Sequence, residues 1–224
     1  MKVWGKFVSG IFVSMFLLGC VARADAMVII NEILADPPSG SAGDANRDGA
    51  TSTSADEFVE LYNPGADAVD LSGWSLADDV KLRHLFSPST IIPSSSFLVV
   101  FGGGAPAITA PWQVASSGTL SLNNGGDVVK LYNAQGELVT QVQYGVEGDK
   151  GQSLVREVEG TPSAFVLHSQ LANAQGQLFS PGYSMNPLVQ ENPETPRSVI
   201  PEIPTLGYLL TGLSFLWPRR GRRV

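Results

Sequence analysis

Apolar and polar positions alternate in short runs along most of the chain, and turn residues interrupt them every few positions. Phe58, Val59, Leu61 and Tyr62 form a β-rich run that ends at Asn63-Pro64-Gly65, where Pro presets φ and Gly accepts φ > 0. Val69 and Leu71 then alternate with Asp67 and Asp70, and after Ser72-Gly73 the residues Trp74 and Leu76 open a further strand ending at Asp78-Asp79. Upstream, Val28 to Leu34 reads as a strand with Asn31 and Glu32 interrupting an apolar run, closed by Asp36-Pro37-Pro38. Downstream, Phe97 to Phe101 is a continuous apolar run suited to a buried strand, closed by Gly102-Gly103-Gly104. Leu120 and Leu122 precede Asn123-Asn124-Gly125-Gly126, a hairpin signal. Asp127–Tyr132 and Leu138–Tyr144 pair by pattern across Asn133–Gly136. Ser153 to Val158 is the expected last strand, with Phe165 and Leu167 closing the core before Ser180-Pro181-Gly182. Three strands and two tight turns within Glu57 to Asp78 are an all-β signature.

The run ELYN, a Pro/Gly turn and VDLSGWSLAD (Glu60 to Asp78) resembles the lamin-tail domain. VIINEILADPP (Val28 to Pro38) is similar to the opening of bacterial members of that family, and GQSLVR (Gly151 to Arg156) and SPG (Ser180 to Gly182) are similar to its close. The resemblance covers roughly residues 27 to 186. It implies an immunoglobulin-like β-sandwich and says more about fold than about activity.

The two ends differ from the body. Residues 1–26 have a positive start (Lys2, Lys6), an apolar stretch from Phe7 to Gly19 and an Ala24-Asp25-Ala26 site, the layout of a secretory signal peptide cleaved after Ala26. Leu17-Leu18-Gly19-Cys20 leaves a second reading open, a lipoprotein signal acylated on Cys20. Residues 187–200 are a Pro/Glu/Asn-rich linker. Residues 201–224 combine a Pro-Glu-x-Pro motif, an apolar stretch from Ile203 to Trp217 and an Arg cluster. That tail resembles the PEP-type sorting signals processed by exosortase-like membrane proteases, and the Arg-rich end would stay cytoplasmic. A plain C-terminal membrane anchor is the alternative, although the apolar stretch is shorter than the ~20 residues of a full span.

Charge narrows the partners. The chain has 14 Lys and Arg against 21 Asp and Glu, a net −7. Between Met27 and Ile200 there are 7 basic and 19 acidic residues, so the body stands near −12. Such a body repels phosphate backbones, which excludes nucleic acid as a partner. Cys20 is the only cysteine, so no disulfide closes within the chain.

One string carries candidate chemistry. In Gly43-Asp44-Ala45-Asn46-Arg47-Asp48-Gly49, the residues Asp44, Asn46 and Asp48 stand at positions 1, 3 and 5 and Gly49 at position 6 of a calcium loop. Alternate oxygens of a tight loop converge on a cation while Gly permits the turn. Position 12 is Ala55, so Asp56 or Glu57 would have to close the site. The same string is also an ordinary Asx-turn sequence, and a solvated acidic loop is the other reading. Catalytic residues are not expected. His84 and His168 sit among apolar neighbours, Ser72 lies outside a nucleophile elbow, and Gly102–Gly104 lacks the helix and Lys-Ser/Thr of a phosphate cradle. Glu57 and Glu60 are a carboxylate pair of the kind any acidic protein offers. Trp74 is expected in the core and Trp112 on the surface. The sequence therefore points to an exported binding or structural module of the cell surface or extracellular matrix, with calcium as its only candidate cofactor and an extracellular protein or polysaccharide as partner. The alternative is an accessory or catalytic component of surface hydrolysis with a calcium-supported carboxylate site.

Overall fold

Strand β1 (Ile29–Leu34) is buried at all its positions, and a bulge explains how. Its antiparallel pairing with β2 (Phe58–Asn63) slips between Ile30 and Glu32. The extra residue lets Ile30 and Ile33 both enter the main core while Asn31 and Glu32 both leave by the opposite face. The polar pair that interrupts the apolar run is thus the bulge itself.

The structure, a computed structural model, describes residues 28–185. Among the described residues the fold is all-β, with three short 3-10 turns. One sheet has the order β12 (Phe165–Leu167), β11 (Leu154–Arg156), β1, β2, β7 (Ser96–Phe101) and β8 (Trp112–Val114). Its strands pair antiparallel except for β7 with β8, which are parallel. The second sheet has the order β10 (Leu138–Tyr144), β9 (Asp127–Tyr132), β4 (Ser75–Ala77) and β5 (Leu82–Leu85). A two-stranded ribbon joins β3 (Val69–Asp70) to β6 (Ile91–Ile92).

The main core lies between the two larger sheets. Ile30, Val59, Leu61 and Val100 from the first meet Leu76, Val129, Leu131 and Val142 from the second. Each such side chain contributes on the order of 1.5–3 kcal/mol of burial. The period of two sends Phe58, Val99 and Phe101 to the other face of the first sheet. Loops cover that face too, packing Ala45, Ile108 and Phe179 there as a second apolar cluster. β2 is therefore buried on both faces, which its unbroken burial reflects.

Several expectations are met in detail. The β9–β10 hairpin forms across Asn133–Gly136, with Asn133 Oδ1 accepting the N–H groups of Gln135 and Glu137. Trp74 packs half-buried against the main core, and Trp112 is 40% exposed on β8. Two details differ. Leu120 and Leu122 are buried in the core but form no strand, because the Leu122 N–H goes to the Glu57 carboxylate instead of a neighbouring strand. β3, to which the sequence assigns no partner, pairs with β6, and Asn63 Nδ2 binds the carbonyls of Asp67, Ile92 and Pro93 beside that ribbon. Among the described residues no helix is long and apolar enough to cross a membrane. The leader, the linker and the C-terminal tail lie outside the described residues.

Candidate functional site

The 39–57 insertion is a folded part of the domain. Its two anchors are buried completely, Asn46 and Asp56. Asp56 accepts the Asn46 N–H at 3.0 Å on one oxygen and the Ser52 N–H at 2.7 Å on the other. Burial raises its pKa, opposed by those N–H bonds and assisted by the nearby Asp44 charge. The Asn46 carbonyl receives the Ala107 N–H and its side-chain amide reaches the Gly103 carbonyl, so the loop is fastened to the segment after β7. Ala45 adds an apolar pin in the outer cluster.

Between these anchors the Asp-x-Asn-x-Asp-Gly string closes on itself. Asp44 accepts the N–H groups of Asp48 and Gly49 on its two oxygens, at 3.1 and 3.0 Å. Asn46 Oδ1 accepts from Asp48, and Asp48 Oδ1 from Ala50. Asp48 Oδ2 also accepts the Ala105 N–H, and these backbone donors lower its pKa. Arg47 and Gly49 have φ values of 60° and 89°, the left-handed positions such a turn needs. The Arg47 guanidinium lies 5.1 Å from the Tyr183 ring centroid, tying the loop to the end of the described chain.

The loop thus gathers Asp44, Asn46, Asp48 and Asp56. It does not bring Glu57 with them. Neighbouring residues at the start of a strand face opposite sides, and Glu57 turns inward, where Oε2 accepts the Leu122 N–H at 3.2 Å. Burial raises the Glu57 pKa to about 7. Among the described residues no three His, Cys, Asp or Glu side chains form a group that could hold a metal ion. The carboxylates of Asp44, Asp48 and Asp56 alike already accept a backbone N–H on each oxygen, so a cation on this loop would have to share them with those donors.

A second polar group escapes a reading of sequence alone. Glu32 and Glu60 are both fully buried on the outer face of β1 and β2. Glu32 accepts the Ser153 hydroxyl, the Ser180 N–H and the Ser180 hydroxyl. Glu60 accepts Asn31 Nδ2 at 2.9 Å and the Gly182 N–H at 2.6 Å. Burial raises the pKa of both, and the nearness of Glu32 pushes Glu60 further up. His168 is buried beside them, its Nδ1–H given to the Gln177 carbonyl. This cluster clasps the 178–182 segment to β1 and β2. Its signal in the sequence was the polar residues of NEI and ELY set in apolar strands, together with SPG. Their common purpose is visible only once the strands are paired.

His84 is structural, as expected. The Ser116 N–H donates to Nδ1, which puts the proton on Nε2 facing Gln113 Oε1 at 2.8 Å, and burial lowers its pKa. The ring rivets β5 to β8 across the open edge of the sandwich.

Residues 22–146 match the family model described as Lamin Tail Domain. No curated protein matches the chain. Strands β11 and β12 and the clasped 178–182 segment lie beyond the matched residues. Even so, β11 pairs with β1, and Ser180 and Gly182 bond to Glu32 and Glu60 inside the matched span.

Proposed function

The chain belongs to the Lamin Tail Domain family, and from that premise we propose that it is an exported, non-catalytic binding or structural module of the cell surface or extracellular matrix. Its recognition surface is the 44–56 loop, and its partner an extracellular protein or polysaccharide. The observation that supports this most is the loop itself. It is long, but it is anchored by the buried Asn46 and Asp56 and holds Asp44 and Asp48 at the surface in a fixed turn. A recognition loop on a rigid scaffold loses little entropy on binding, which is why binding residues collect in such places.

Calcium is the ion this loop would take. The support is the way Asp44 accepts the N–H groups at the fifth and sixth positions of the string, drawing the loop into the tight turn a calcium site requires. With few free carboxylates the affinity would fall in the weak range of extracellular modules, on the order of 0.1–1 mM. The N-terminal leader would direct export, and the C-terminal tail would hold the protein at the membrane until an exosortase-like protease removes it.

The test is attachment. Purified protein is incubated with cells of the producing species in 2 mM calcium or in chelator, beside a variant with Asp44→Ala and Asp48→Ala. Retention that falls in the variant and in chelator supports the reading. Retention equal in all three removes the loop as the recognition surface.

A further inference from the structure

The four-stranded sheet ends at β10, which pairs on one side only, with β9. A register shift between Leu138 and Thr140 leaves Thr140–Tyr144 as its regular part, and that part is centred on Val142. We propose that this edge is a dimer seam. β10 of a second copy of the chain pairs with it antiparallel about a two-fold axis at Val142, and the two four-stranded sheets become one continuous sheet.

The other sheet edges are short or closed. β8 and β12, at the two edges of the larger sheet, have three residues each. β5 is covered by the 115–117 segment, where the Arg83 carbonyl accepts the Ser117 N–H and the Leu85 N–H goes to Ser116 Oγ. β10 is seven residues long and has no such cover. Alternate N–H and C=O groups of an antiparallel edge point away from the sheet. Among the described residues, no hydrogen bond other than those to β9 engages the backbone of residues 139–144. The strand reads LVTQVQY, with neither a charge nor a Pro. Those are the devices by which natural edges resist pairing with another chain.

A second copy fits because the seam is self-complementary. A two-fold axis at Val142 sets Gln141 of each copy against Gln143 of the other. Both are exposed, and each amide has an N–H and a carbonyl to exchange across the strands. Leu138 and Val146 stand at equal distances before and after Val142, and they are 50% and 70% exposed. The same axis brings each against the other, so two apolar contacts bracket the ladder. Val142 and Tyr144 stay in the core of their own copy. Charge points the same way. The body stands near −12, so two copies repel over most of their surface, but residues 138–146 hold no charged side chain. A basic strand would find no carboxylate to pair with there, whereas a second copy matches the seam in kind. The antiparallel pairing closes on itself and uses up both bare edges, so assembly stops at two.

The seam uses neither Asp44 nor Asp48, so loss of association and loss of calcium-dependent attachment are separable. A seam this short belongs to the small-interface class, so the full-length chain is followed by sedimentation equilibrium from about 5 to about 500 μM. Amide exchange of residues 138–146 is measured at both ends of that range. The mass should rise from monomer to dimer, with exchange in 138–146 slowing as it does. Gln141→Lys with Gln143→Lys puts like charges opposite each other across the seam and should weaken association by at least roughly tenfold. Leu138→Ser with Val146→Ser removes the bracketing contacts and should weaken it too. All four positions are exposed, so the melting temperature of dilute protein should hold in both variants. A chain that stays monomeric throughout overturns the proposal, as does a mass that climbs past the dimer. Association that survives the lysine variant, or that leaves exchange in 138–146 unchanged, comes from elsewhere in the chain and overturns it equally.

Discussion

Ser180 holds Glu32 twice, across 148 residues of sequence. Its N–H donates to Oε1 at 2.9 Å and its hydroxyl to Oε2 at 2.8 Å. Beside it Gly182 donates to Glu60 at 2.6 Å. Two buried carboxylates on the first two strands of the large sheet therefore fix the last described stretch of chain. Gly182 has φ 78°, and a Cβ there would collide with Ala110, so the segment passes in close contact with the loop before β8.

Replacing Ser180 by Ala leaves Glu32 Oε2 without its donor in a site closed to water. Hydrogen bonds to charged groups contribute about 1.5–3 kcal/mol, and a buried acceptor left unmatched costs a similar amount. Urea unfolding should show a loss of about 1–3 kcal/mol. A loss below about 0.5 kcal/mol would mean that the clasp does not bear on stability.

Glu57 gives the domain a pH dependence of definite sign. Burial raises its folded pKa to about 7 from the ordinary 4.5, so the folded state keeps the proton that the unfolded chain releases. The stability from this group is fully present below pH 4.5 and is lost as pH rises through 7. Glu57→Gln cannot ionise. Glu32 and Glu60 shift in the same direction but are common to both proteins and drop out of the comparison. Between pH 5 and pH 8 the wild type should lose about 1–3 kcal/mol relative to the variant. A difference that is flat across that range would contradict a raised pKa at Glu57.

Two glycines of the loop region separate backbone strain from collision. Gly49 has φ 89° with open space where a Cβ would go. Gly104 has φ 79°, and a Cβ there would strike Asn46 Nδ2 and Asp48 Oδ2. Gly49→Ala should cost about 1 kcal/mol through strain alone. Gly104→Ala should cost more and should free the loop, while near-ultraviolet circular dichroism of the core aromatics stays native. Equal costs for the two would mean that Gly104 does not press on the loop.

Much of the fold is legible in sequence because period-two alternation directly encodes which residues face the core. Val59, Leu61, Leu76 and Leu131 are examples. The β9–β10 hairpin is legible because Asn133 and Gly136 specify its turn. The partnership of β3 with β6 is not legible, since two-residue strands carry no register of their own. β8 is missed because three residues after a Pro-bounded loop have too little pattern to mark a strand. In the candidate site, Asp44, Asn46 and Asp48 follow from their spacing, since local turns are written in consecutive residues. Glu57 does not follow, because its direction depends on where β2 begins. The Glu32–Glu60 clasp joins residues far apart in the chain, and only strand pairing brings them together.

The most direct test of the 44–56 loop as a rigid recognition surface is amide hydrogen exchange at Asn46, Asp48, Gly49 and Ser52, with calcium and with chelator. These four N–H groups are bonded to Asp56 or Asp44. Slow exchange is expected at all four in chelator, and slower exchange at Asp48 and Gly49 when calcium is added. Exchange at unstructured-peptide rates in both conditions would contradict a pre-folded loop and the binding role that rests on it.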